Sequence, residues 1–114
     1  MMHEMAISES IIGILEEEAR RQHYARVKKV RLEIGALAGV ETEALRFTFD
    51  VVTKGTLAED AVLEIIATEA QAWCLPCERV VAIRQRYDAC PDCGGHQLQV
   101  TSGEEMRIKD LEVD

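Results

Sequence analysis

The clearest chemistry in this chain lies in four cysteines arranged as two C-x-x-C pairs, Cys74 with Cys77 and Cys90 with Cys93, twelve residues apart. Two intervening residues let both thiolates of a pair reach one ion from a tight turn, and two such turns complete a tetrahedron. Pro91 and Gly94-Gly95 suit the second turn, the proline fixing the backbone and the glycines freeing it where it folds around sulfur. With four sulfur ligands and no open position, the spacing predicts a structural Zn(II) site and not a catalytic one. Two rivals share these ligands. A redox dithiol needs only one pair and usually sits in a βαβ setting that is missing here. A single iron held as in rubredoxin-like proteins fits the run Cys90-Pro91-Asp92-Cys93-Gly94, but Cys77 is followed by Glu78 where those proteins carry glycine, and colour separates the two metals. His96, three residues past Cys93, is an alternative ligand that a full set of cysteines leaves as a bystander.

A second metal chemistry is available ahead of the first helix, where His3 and Glu4 stand. A terminal amine, deprotonated backbone amides and a nearby imidazole form a planar nitrogen site, the geometry that Ni(II) and Cu(II) favour. A histidine near a terminus is more often just a solvated end, so the residues alone leave this site open. His23 follows the first helix, where a cation is mildly favourable. An enzyme is the least supported class: there is no Ser/His/Asp constellation and no phosphate-cradling glycine loop, and Glu104-Glu105 reads as solvated strand-edge charge.

The elements that must position these residues follow from periodicity. From Met5 to about Gln22, Ile7, Ile11, Ile14, Leu15 and Ala19 recur on one helical face, and Glu16–Arg20 and Glu17–Arg21 form favourably ordered pairs on the other. Lys29 to Ile34 alternates as a half-buried strand with Val30, Leu32 and Ile34 inward. Gly35 and Gly39 mark a turn. Val40, Ala44, Leu45, Phe47, Val51 and Val52 then give a second helix that Gly55 closes. Ala61 to Thr68 is a second strand, and Trp73 to Gly95 is the metal-organised insert. Strand character returns at Leu98 and Val100 and continues through Met106, Ile108, Leu111 and Val113, with a bulge or bend where the alternation breaks after Ile108. The expected fold is α+β: a three-stranded sheet with two helices plus an inserted zinc-ribbon-like subdomain. The expected division assigns 1–70 and 97–114 to the α/β domain and 71–96 to the zinc-binding insert.

Composition narrows the function. A chain of 114 residues with 47% hydrophobic but only 4% aromatic content implies one small domain with an aliphatic core. A formal charge of −8 argues against nucleic acid or an anionic membrane as a partner, since both need a positive surface. The one basic run, Arg20, Arg21, Arg26, Lys28, Lys29 and Arg31, reads as a solvated face, with a docking patch for an acidic partner as its alternative. No segment approaches the roughly 20 apolar residues of a membrane span, and the opening Met1-Met2-His3-Glu4 has no signal-peptide pattern. A cytoplasmic location is expected, where thiols stay reduced and bind metal.

The chain also resembles the HypA/HybF family of hydrogenase nickel-incorporation proteins over nearly its whole length. The resemblance is carried by Met2-His3-Glu4, by Ile34-Gly35 with Val40-Glu41-Thr42-Glu43-Ala44-Leu45, and by Phe49 and Gly55-Thr56. The two cysteine pairs, Gly103-Glu104-Glu105-Met106 and the ending Leu111-Glu112-Val113-Asp114 continue it. It implies a nickel metallochaperone: Met2, His3 and Glu4 would bind Ni(II) as transient cargo through the histidine and surrounding main chain, and the cysteines would hold structural Zn(II). The partners implied are a GTPase of the hydrogenase maturation pathway and the large subunit of [NiFe]-hydrogenase, with urease accessory proteins in some members. The chain itself would act as a monomer or homodimer. This sequence has a further methionine ahead of the motif, Met1, which makes His3 the third residue. With Met1 retained, amine, two amides and imidazole fill a plane without Glu4; with Met2 first, Glu4 or its amide takes part. The competing reading is a zinc-ribbon adaptor for protein–protein interaction with no second metal, and such an adaptor is indifferent to loss of His3.

Overall fold

The elements follow in the order α1 (Glu4–Gln22), β1 (Val27–Gly35), α2 (Thr42–Val52), β2 (Val62–Thr68), β3 (Ala70–Cys74), β4 (Arg79–Ile83), β5 (Leu98–Ser102) and β6 (Met106–Val113). This computed structural model describes residues 3–114; Met1 and Met2, and with them the expectation placed on Met2, lie outside the described residues. The chain divides into two compact units. One comprises the chain up to Leu32, Val40–Ile65 and Ile108–Asp114, and the other Glu33–Gly39 and Ile66–Arg107.

In the first unit, α1 packs on α2. Helix α1 has Glu4 in its first turn and Arg20 and Arg21 in its last, each at the end of the helix dipole that favours its sign. Its buried face is Ser8, Ile11, Ile12 and Leu15, whereas Ile14 is exposed, so the stripe sits to one side of the expected one. Arg21 pairs with Glu18 at 2.6 Å and not with Glu17. His23 ends the helix in the left-handed region at φ 60°, donating its N–H to the Ala19 carbonyl at 2.8 Å; histidine enters that region more readily than most residues. In α2 the core residues are Leu45 and Phe49, and Phe47, expected inside, is 69% exposed. Residues two apart on a helix lie about 200° apart, so burying Phe49 turns Phe47 outward. Gly55, at φ 78°, stands in the turn two residues beyond the C-cap Thr53.

Strands β2, β1 and β6 form the expected three-stranded sheet, in that spatial order. Val30, Leu32 and Ile34 are buried as the alternation predicts. Along β6 the alternation of burial does break, with Asp110 and Leu111 both half-buried. Four of the six basic residues from Arg20 to Arg31 are ion-paired: Arg21 with Glu18 as above, Lys28 with Asp114 at 3.8 Å, Lys29 with Glu64 at 3.2 Å and Arg31 with Asp110 at 2.6 Å.

The second unit has a sheet of its own, which the sequence reading did not separate. β3 lies between β4 and β5, antiparallel to both, with a register shift at Gln71/Ala72. Leu98–Ser102 therefore joins β3 and not the first sheet, and this unit extends well past the 71–96 insert. Its small core is Leu37, Ala70, Ala72, Cys74, Val81, Ile83 and Cys90. Gly35 and Gly103 are required by close approach here: a Cβ on Gly35 would collide with the Gly103 carbonyl, and one on Gly103 with Ala70. The Gly103 carbonyl accepts the Leu37 N–H at 2.7 Å. Among the described residues no helix is long and apolar enough to cross a membrane.

Candidate metal centres

The two cysteine pairs fold as two equivalent turns. Cys74 ends β3 and accepts the Glu78 N–H at 2.8 Å; Cys90 accepts the Gly94 N–H at 2.8 Å. The residue closing each turn is left-handed, Glu78 at φ 54° and Gly94 at φ 76°. Backbone bonds from Cys90 N–H to the Gly95 carbonyl (2.7 Å) and from Leu75 N–H to the Gln97 carbonyl (3.0 Å) bind the assembly together. All four Sγ atoms converge within 4.8 Å of one another, with Cys74–Cys93 at 3.7 Å and Cys77–Cys90 at 3.9 Å. A disulfide would bring two sulfurs to about 2.05 Å, so all four are free. A tetrahedron of sulfurs about 2.3 Å from a central Zn(II) has edges of about 3.8 Å. The observed pairs match that edge, and the residues fit a structural zinc site. Zinc bound there would supply a closed cross-link between the two turns. Cys74 and Cys90 are buried, Cys77 is half-buried and Cys93 is exposed; His96 is exposed and outside the cluster.

The Cys90 thiol is pulled down to about 7 by the backbone N–H of Cys93 and, against desolvation, by that of Asp92. Cys77 is pushed up to about 12 by hydrogen bonding to the neighbouring sulfurs of Cys74 and Cys93. At Cys74 the Cys77 N–H draws the thiol down, but burial and the bond to Cys90 prevail, and it too ends above the ordinary range. Four sulfurs this close do not all ionise unless a cation sits between them.

At the other candidate site, His3 is the N-cap of α1 and accepts the Ile7 N–H at 2.9 Å. It is exposed, its side chain makes no capping bond, and its backbone stands at φ −128°, ψ 17°. An N-cap is usually extended. A ψ near zero instead turns the nitrogens of His3 and Glu4 to the same side, about 2.7 Å apart by standard bond geometry. That is the arrangement of a five-membered chelate ring. The Glu4 carboxylate is engaged elsewhere: it accepts the Glu41 N–H at 3.0 Å, which holds this carboxyl below its usual range. The Glu4 carbonyl accepts the Thr48 hydroxyl at 3.2 Å. Sequence reasoning missed both ties to α2. The available signal was polar Ser8 and Thr48 interrupting apolar helix faces; their hydroxyls meet at 2.8 Å.

A family model described as hydrogenase/urease nickel incorporation, metallochaperone, HypA, matches residues 2–113. The hydrogenase maturation factor HypA of Alkalilimnicola ehrlichii is 62% identical over 113 residues, covering 99% of this chain and 100% of that protein. Its counterpart in Azotobacter chroococcum is 60% identical with the same coverage. The solution structure of the Ni metallochaperone HypA from Helicobacter pylori superposes with a TM-score of 0.69 at 25% identity, over 98% of this chain and 97% of that one.

Proposed function

Since the chain belongs to the HypA family of hydrogenase/urease nickel-incorporation metallochaperones, we propose that it carries Ni(II) at its N-terminal motif and hands it to the large subunit of [NiFe]-hydrogenase. The observation that carries this reading is the backbone at His3, whose ψ of 17° sets two successive main-chain nitrogens syn beside an exposed, uncapped imidazole. Amide nitrogens and imidazole form a planar field that suits Ni(II); Cu(II) takes the same field with higher affinity, so metal availability and not this geometry decides between the two. Met2 would contribute the amine or amide preceding His3. Glu4 would contribute its amide, since its carboxylate already serves the Glu41 N–H. Cys74, Cys77, Cys90 and Cys93 hold Zn(II) in the second unit, which stays closed during delivery. Binding weakens as pH falls, because protons compete for the imidazole and amine.

Delivery is ligand exchange on a docked partner and needs no covalent chemistry by this chain, in keeping with relatives named as maturation factors. A cytoplasmic GTPase of the maturation pathway is the partner that would time the release, and urease accessory proteins are a second route. Calorimetric titration of Ni(II) into zinc-loaded protein with an untagged N-terminus, beside His3→Ala, tests the reading. One nickel per chain, lost on substitution while zinc stays bound, supports it. Equal weak binding by both proteins overturns it in favour of the zinc-ribbon adaptor.

A further inference from the structure

Thr48 belongs to α2, yet its hydroxyl reaches the first residue of α1. Its Oγ1 lies 3.2 Å from the Glu4 carbonyl oxygen and 2.8 Å from Oγ of Ser8, a fully buried residue. It also lies 3.1 Å from the Leu45 carbonyl, the bond a threonine makes within its own helix. With Ser8 donating to Thr48, the threonine proton is left for the carbonyls of Leu45 and Glu4. On the other side of Glu4, the carboxylate takes the N–H of Glu41, the N-cap of α2. Glu4 is thus held by α2 at two points, one on its main chain and one on its side chain. The N–H groups of a first helical turn have no partner within the helix, so the backbone nitrogen of Glu4 is the group left to face a ligand. First turns fray unless they are tied down. A planar site needs several nitrogens held at once, and ordering them beforehand lowers the entropy cost of binding.

We propose that Thr48 is a positioning residue of the nickel site, fixing the first turn of α1 through Glu4 so that the nitrogens of His3 and Glu4 are presented together. This rests on the nickel reading above and deepens it: α2 becomes the platform of the site, and the Glu4 side chain a strut and not a ligand.

The test compares Thr48→Val, which removes the hydroxyl at constant shape, with Thr48→Ser, which keeps it, both in the zinc-loaded full chain. Ni(II) alone is the titrant, followed by calorimetry and by the visible absorption of planar nickel. Thr48→Val should bind nickel about three- to tenfold more weakly, the worth of one hydrogen bond. Its planar band should weaken and move to longer wavelength as water replaces the Glu4 nitrogen. Thr48→Ser should stay within about twofold of the parent. Ser8→Ala deletes the buried partner without touching the bond to Glu4, so it should lower the unfolding midpoint and leave the nickel spectrum unmoved. Amide exchange in the unsubstituted protein adds a reading that needs no variant: the Ser8 N–H should be protected before nickel is added. Wild-type affinity and spectrum in Thr48→Val, or rapid exchange at Ser8, overturns the proposal. If His3→Ala also keeps its nickel, it is the N-terminal assignment itself that has failed.

Discussion

Zinc binding should be coupled to proton release in a manner set by the environments of the individual sulfurs. Before metal binds, Cys77 sits near 12 and Cys74 above the ordinary thiol range, while Cys90 sits near 7. At pH 8 Cys90 is already mostly ionised, so zinc must displace protons from at least Cys74 and Cys77. Near pH 6 Cys90 is protonated as well, and the count rises to at least three. Each proton released makes apparent affinity fall tenfold per pH unit lost. Zinc affinity should therefore drop at least about a hundredfold per unit near pH 8 and at least about a thousandfold per unit near pH 6. Protonation favours the metal-free form, so the loss runs toward acid. Competition against a chromophoric chelator across this range gives the slope, and calorimetry in buffers of different ionisation enthalpy gives the proton count independently. A flat profile, or fewer than two protons at pH 8, would refute the assignment of these thiols as protonated ligands awaiting a cation.

Four further outcomes follow from the packing and the turns. Phe49→Ala should cost about 3–5 kcal/mol in denaturant unfolding, and Phe47→Ala only about 0.5 kcal/mol, because only Phe49 is buried. Glu78→Gly should raise the stability of zinc-loaded protein by up to about 1 kcal/mol, since a left-handed glutamate closes the first cysteine turn where glycine closes the second. Gly35→Ala should cost about 3 kcal/mol or more by the same unfolding measurement, because the new methyl meets the Gly103 backbone, which cannot rotate away. Asp88 accepts the N–H groups of Arg84 and Gln85, which lower its pKa. Its stabilising contribution should be full above the unfolded value and vanish as pH falls through the folded one, and Asp88→Asn should flatten that part of a melting-point profile.

How much of this was legible in the sequence depends on how local each cause is. The cysteine site was legible because its geometry is set by two five-residue turns, and a C-x-x-C spacing states the turn directly. The two helices and the strand Val30–Ile34 were legible because burial on one face leaves a period. The rotation of each helix was less so: Ile14 and Phe47 look as apolar as Ile12 and Phe49, and only the packing of α1 on α2 decides between them. The second sheet was hidden because its inward residues, Ala70, Ala72 and Cys74, are small and carry little hydrophobic signal. β5 was misassigned for a related reason. Leu98 and Val100 alternate as any strand does, and nothing local says which partner a strand will choose. The ties from Glu4 to Glu41 and Thr48 span 37 and 44 residues, beyond the reach of any spacing rule.

A structural zinc site and the proposed nickel site ask for opposite things of the chain, and that is reason enough for them to be built differently. Zinc has no electronic preference for a plane, and a closed set of thiolates suits it. The turns at Cys74 and Cys90 are closed by their own backbone bonds, and the sulfurs stand at 3.7 and 3.9 Å, near the tetrahedral edge. A square plane of sulfurs at the same bond length would need neighbours about 3.2 Å apart, so a planar ion must spread or squeeze these turns to enter. Cargo, by contrast, must leave. On the proposed reading it is held by nitrogens at the start of α1, where His3 is exposed and where letting go disturbs one helical turn and no core. Only that turn then needs steadying, which is the part that Thr48 and Glu41 are placed to play.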